Sequence, residues 1–319
     1  MARPSLTDLP ALAALLALTV LGASTPPAQA QLTRPAAATP APRPLPPPRE
    51  TKLVEKKLEE LPSQPTSKHG VTAMAIDPEK WKHAETENFI IHYRRVTEAQ
   101  KVAREVEYDL WFVATTLGAT KERYQKKSHV YVFEDEDEWK NFVGQTGVPP
   151  WSASFAFGDE LFLNVRRVGR GTGGSSNFDS TTLAHEATHA VVARLFPGVR
   201  WPLWLGEGFA EYMGGASVAA RKGQSIKRFQ SRLSAAEMPL DRLESLKSYP
   251  ENEIEVMQLY QTSEKLVRFL MNEFPKERFN DFLSYVLGGK SLQDSILTVY
   301  SDKVKDWDAF MRRYERFTK

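Results

Sequence analysis

"LAHEATHAVVARLF", residues 183–196, decides how the rest of the chain is read. His185 and His189 stand four positions apart, with Glu186 directly after the first. On a helix this spacing sends both imidazoles from one face about one turn apart, so two ring nitrogens can reach one ion. Glu186 is too near in sequence to be a comfortable third ligand, but well placed to take a proton from a water at that ion. The competing reading is an ordinary helix that happens to carry two imidazoles. The flanking stretches bear on the choice.

Downstream lies "PLWLGEGFAEYM", residues 202–213, where Glu207 and Glu211 again share one helical face. Trp204, Leu205, Phe209 and Met213 are apolar enough to bury this helix. Two carboxylates on a buried helix are costly unless a cation or hydrogen bonds meet them. A tetrahedral catalytic zinc takes three protein ligands and keeps one position open. Glu207 is therefore expected as the third ligand, beside His185 and His189. Glu211, one turn on, is expected to accept a hydrogen bond from a ligand imidazole and fix its tautomer. The bland account of the same stretch is a surface helix with a solvated acidic face. The other four histidines, His69, His83, His92 and His129, are read as surface or structural residues.

Upstream the pattern is mixed. "NFIIHYR" (88–94) and "HVYVFE" (129–134) read as strands, and "SASFAFGDELFLNV" (152–165) as a hairpin turning at Gly158-Asp159. Between the first two, Ala99, Val102, Val106, Leu110, Val113 and Leu117 recur at helical spacing, with Thr97 as cap and Gly118 as stop. "DEDEWKNFVG" is a short helix ending at Gly144. Gly and Ser fill 169–176, a mobile loop before the histidine helix. Beyond it, helices are expected around 205–215 and 262–274 and at the C-terminus. A β-rich first half and a helical second half make the fold α+β.

The N-terminal thirty residues read as a secretory leader rather than fold. Arg3 precedes "ALAALLALTVLG" (11–22), too short for a mature membrane anchor, and "AQA" precedes Gln31, so cleavage is expected after Ala30. An uncleaved anchor is the alternative, and either way the remainder is exported, to the periplasm or the medium. Residues 31–70 form a Pro/Ala-rich, largely disordered spacer, with "KLVEKKLEEL" (52–61) as a short charged helix within it. The folded domain is then 71–319, with a mixed α/β part at 71–168 and a helical part at 177–319.

Composition limits the function. The 319 residues carry a formal charge of +2, which gives no basis for nucleic-acid binding. Arg166, Arg167 and Arg170 read as a solvated loop. There is no cysteine, so an exported domain must stand on its core or a bound metal. No second apolar run reaches membrane length, so the mature chain is expected to have no membrane span.

"HEATH" followed by "WLGEGFAEYM" resembles the gluzincin clan of zinc peptidases, and the bacterial peptidase MA-like families in particular. The motif strength lies in 183–213, within a resemblance that covers roughly 85–319. It implies a thermolysin-like catalytic domain, one zinc per chain and peptide hydrolysis. The chain departs from the aminopeptidase N branch, which has Asn where this chain has Gly206, and seventeen residues separate His189 from Glu207, slightly fewer than in that branch. Thermolysin-like members use a later histidine to steady the oxyanion, and this chain has none after His189. Aminopeptidase N-like members use a tyrosine at the head of a later helix. "LYQTSEKLVRFLMNEF" (259–274) is similar to that segment, which implies a catalytic role for Tyr260; a core tyrosine is the competing account. No Gly-x-Met-Glu-Asn segment is present to hold a free amine, so an endopeptidase acting on peptides or proteins is the expectation. Two alternatives stay open: a catalytically silent zinc-binding exported protein with a binding or envelope-assembly role, and a metal-free scaffold with an accidental HExxH.

Overall fold

Short, largely apolar runs from Phe89 onward build a sheet that is covered on both faces. In a computed structural model of the chain, the described residues are 47–48, 50–65, 67–168, 180–224 and 236–317. The expected leader and cleavage site, the first part of the expected spacer, and the Gly/Ser stretch with Arg170 lie outside them. The described elements place a six-stranded mixed sheet in the N-terminal half and mostly helices in the C-terminal half, so the fold is α+β. Contacts divide the chain into two compact units, one holding Leu45–Thr115 and Ala119–Leu195, the other Phe196–Lys319.

The first unit runs β1 (Val54–Lys56), α1 (Lys68–Ala75), β2 (Lys82–Glu85), β3 (Phe89–Tyr93), α2 (Val96–Thr116) and β4 (Ser128–Phe133). It continues with α3 (Glu136–Thr146), β5 (Ser154–Phe157), β6 (Glu160–Asn164), α4 (Val165–Val168) and α5 (Ser180–Leu195). The strand order is β1-β2-β3-β4-β6-β5. β3, β4 and β6 are mutually parallel in the centre, and the pairs toward each edge are antiparallel. Every residue of β3, β4 and β6 is buried, as expected for strands covered on both sides.

Strand alternation sorts the two faces. Tyr131, Phe133, Phe155 and Phe162 meet Ala73 of α1 and Trp139, Phe142 and Val143 of α3 in one aromatic core. α1 lies so close that a β-carbon at Gly70 would stand 2.4 Å from the Tyr131 hydroxyl oxygen. On the opposite face α5 packs against β5 and β6. The histidine helix therefore belongs with the sheet, not with the helical part to which the spacing assigned it. Small residues make this possible: Ala184, Ala187, Ala190 and Val191 are all buried.

Further corrections concern the start of the fold. Residues 54–56 form a strand paired with β2, not part of a helix, and the sheet begins before Val71. Thr97 is inside α2 rather than its cap, while Gly118 ends that region at φ 62°. α3 runs past Gly144 and ends at Gly147 (φ 78°). The hairpin turns at Gly158 (φ 58°), as the sequence implies.

Three of the four histidines outside the motif form a buried chain on the α1/α3 face. His83 Nδ1 lies 2.9 Å from His92 Nδ1, His92 Nε2 lies 2.8 Å from His129 Nδ1, and His129 Nε2 lies 3.0 Å from Ser63 Oγ. A neutral imidazole has one N–H and one acceptor, so the chain must run in a single sense. If His83 donates to His92, then His92 donates to His129 and His129 to Ser63; reversing one bond reverses all. Burial pushes His129 down to about 4 and holds His92 well below the ordinary value. His69 is buried separately, stacked on Phe157 at 4.3 Å. All four are buried.

The second unit holds α6 (Leu203–Arg221), α7 (Leu240–Ser245), α8 (Glu253–Glu273), α9 (Lys276–Leu287), α10 (Leu292–Val299) and α11 (Trp307–Phe317). α6 and α8 are its most closely packed pair, and Gly208 sits at their contact, facing the Ser263 backbone. Phe269 of α8 anchors the C-terminus through edge contacts with Phe274, Phe310 and Tyr314 at 5.4–5.5 Å. Among the described residues no helix is long and apolar enough to cross a membrane.

Candidate metal centre

α5 forms because Leu183 to Leu195 contains no Gly or Pro and is rich in Ala. His185 is buried, with 4% exposure, and His189 is half-buried. Their Nε2 atoms stand 3.1 Å apart with the rings at 74°. Two nitrogens bound at about 2.05 Å to one tetrahedral zinc would stand about 3.3 Å apart. The pair is thus already set close to the spacing that an ion requires. Glu186 is buried beside them, and Ser154 of β5 donates to its Oε1 over a long 3.5 Å.

In the second unit, Glu207 is 1% exposed on the first turns of α6. Tyr249 donates from its hydroxyl to Glu207 Oε1 at 2.6 Å. Tyr260 is fully buried, with its ring 6.3 Å from that of Tyr249. Burial, then the negative charge of Glu207, holds the Tyr260 hydroxyl well above the usual phenol range, so it stays protonated. Tyr260 was expected at the head of its helix. α8 instead begins at Glu253, capped by the Asn252 side chain on Ile254 N, which puts Tyr260 two turns inside. Glu211 is half-buried one turn after Glu207; burial raises the Glu264 carboxyl to about 7, and the charge of Glu211 adds to that rise.

One donor atom from each of His185, His189 and Glu207 lies within 4.8 Å of the others, so this group could hold a metal ion. Two imidazoles and a carboxylate form a mixed nitrogen and oxygen donor set that suits a divalent transition-metal ion. Sequence spacing missed Tyr249 and Ser154. A lone tyrosine in "KSYPEN" and a serine in a strand carry no periodic signal, and each acquires meaning only through its neighbour across the fold.

No protein-family model, curated protein or solved structure matches this chain.

Proposed function

We propose that the chain is an exported zinc-dependent peptide hydrolase, acting as an endopeptidase on peptides or proteins. The observation that supports this is the grouping of His185, His189 and Glu207 with the acid Glu186 directly after the first ligand. Zinc held by those three would supply Lewis-acid polarisation and water activation near neutral pH.

The side chains then have separate tasks. Glu186 takes a proton from the water whose oxygen attacks the peptide carbonyl carbon, and delivers it to the amine as the C–N bond breaks. Ser154 steadies the Glu186 carboxylate from β5. Tyr260, kept protonated, donates to the negative oxygen that develops on the carbonyl. Glu211 accepts from a ligand imidazole and fixes its tautomer. The substrate lies as an extended strand along β5, which ends the strand order and is in the same unit as Glu186.

The test separates metal from chemistry. Purified protein should carry about one zinc per chain and cleave denatured casein. Glu186→Gln should keep the zinc and lose hydrolysis. Zinc-loaded protein that leaves both casein and a peptide library intact would instead make this a binding protein.

A further inference from the structure

We infer that Tyr249 is a positioning residue for the third ligand: its hydroxyl holds the Glu207 carboxylate in the orientation in which an ion is gripped. The inference rests on the metal site proposed above, and extends it to a residue outside every motif in the sequence.

Glu207 is 1% exposed, so bulk water does not orient its carboxylate. An unbraced glutamate can turn about its side-chain bonds and present either oxygen, in several directions. The 2.6 Å separation from Tyr249 is in the range of a charge-assisted O–H···O⁻ bond, among the stronger kinds in proteins. Such a bond fixes one oxygen and leaves lone pairs on the carboxylate for a cation.

The donor is itself held in place. Its ring lies over Tyr260 with 27° between the planes, and Tyr260 is locked inside α8. Pro250, next in the chain, restricts Tyr249 to extended backbone. α8 begins three residues later at a capped end. Glu207 is carried by α6, and Gly208 allows α6 to touch α8 at Ser263. The carboxylate is thus braced from the segment that leads into α8, by a hydroxyl whose ring stacks on Tyr260. Tyr249 acts through Glu207 and not on substrate.

Zinc affinity measured by chelator competition on wild type, Tyr249→Phe and Glu207→Gln tests this. Tyr249→Phe should bind zinc about 10- to 100-fold more weakly, the usual loss when a partner of a metal ligand is removed. Its metal-free melting temperature should fall only modestly, because the buried carboxylate loses a donor while the ring remains on Tyr260. Glu207→Gln should lose more affinity than Tyr249→Phe. Wild type without zinc affinity would remove the metal site and this inference together. Wild type that binds zinc, with Tyr249→Phe equal to it, would overturn the inference alone. If Tyr249→Phe does not fold, 3-fluorotyrosine placed at 249 gives the second readout. Its fluorine resonance should shift up to one equivalent of zinc, and an unmoved resonance in protein that binds zinc overturns the inference.

Discussion

Gly208 lies against the backbone of Ser263: a β-carbon at 208 would stand 2.4 Å from the Ser263 carbonyl oxygen and 2.6 Å from its carbonyl carbon. Neither atom can swing aside, because both belong to the α8 backbone. Gly208→Ala must push α6 from α8, and Glu207 moves with it. Overpacking of this kind costs about 1–3 kcal/mol, and backbone contact sets this case at the upper end. A lowered denaturation midpoint should therefore accompany weaker zinc binding. An alanine variant with wild-type midpoint would mean that the helices slide apart freely.

Gly70→Ala tests the first unit in the same way. The added carbon would meet the Tyr131 hydroxyl oxygen at 2.4 Å. A tyrosine tip usually yields, but this ring is stacked between His92 and Phe162, each at 4.7 Å. The expected loss is about 1–3 kcal/mol, read from urea unfolding. Gly70→Ala with Tyr131→Phe should recover part of it, since the clashing oxygen is gone. No recovery would move the cause to α1 itself.

Metal should contribute to stability through linkage. A ligand at a hundred times its dissociation constant stabilises the native state by about 2.7 kcal/mol. Chelator should therefore lower the melting temperature of wild-type protein. His189→Ala, lacking one donor, should melt near the chelated wild type and respond to neither zinc nor chelator. An equal response of both proteins to zinc would place the ion elsewhere.

The candidate ligands were legible because helical spacing is local: positions four apart share a face whatever the helix packs on. Gly208 was visible in "GEGFAEY" as a residue, but its reason, the Ser263 backbone, lies on another helix. β1 was misread because "KLVEKKLEEL" is rich in good helix formers, whereas its strand state comes from pairing with β2. The assignment of α5 to the sheet was hidden for a related reason. Its buried positions include Ala184, Ala187 and Ala190, small residues that suit a helix packed on a helix and one packed on a sheet equally well. The histidine chain needed cross-strand register: His83 faces His92, and His129 lies one strand further on.

That chain predicts a pH dependence with a definite sign. His83, His92 and His129 all have folded values below the ordinary 6.5, with burial the largest cause each time. The unfolded state therefore binds more protons below 6.5, and stability falls as pH drops through that value. For His129, with a folded value of about 4, the loss amounts to roughly 3 kcal/mol by the time the pH reaches 4. Glu160 works against this trend, since burial raises its carboxyl to about 6, so that the folded state holds its proton more firmly. Subtracting the pH profile of His129→Gln from that of wild type isolates the histidine contribution. The difference should be flat above pH 7 and should decline toward pH 4. Ring resonances of His92 and His129 should not titrate between pH 7 and 5 in folded protein. Titration of His92 near 6.5 would show that its ring is open to water, and the chain would not exist as described.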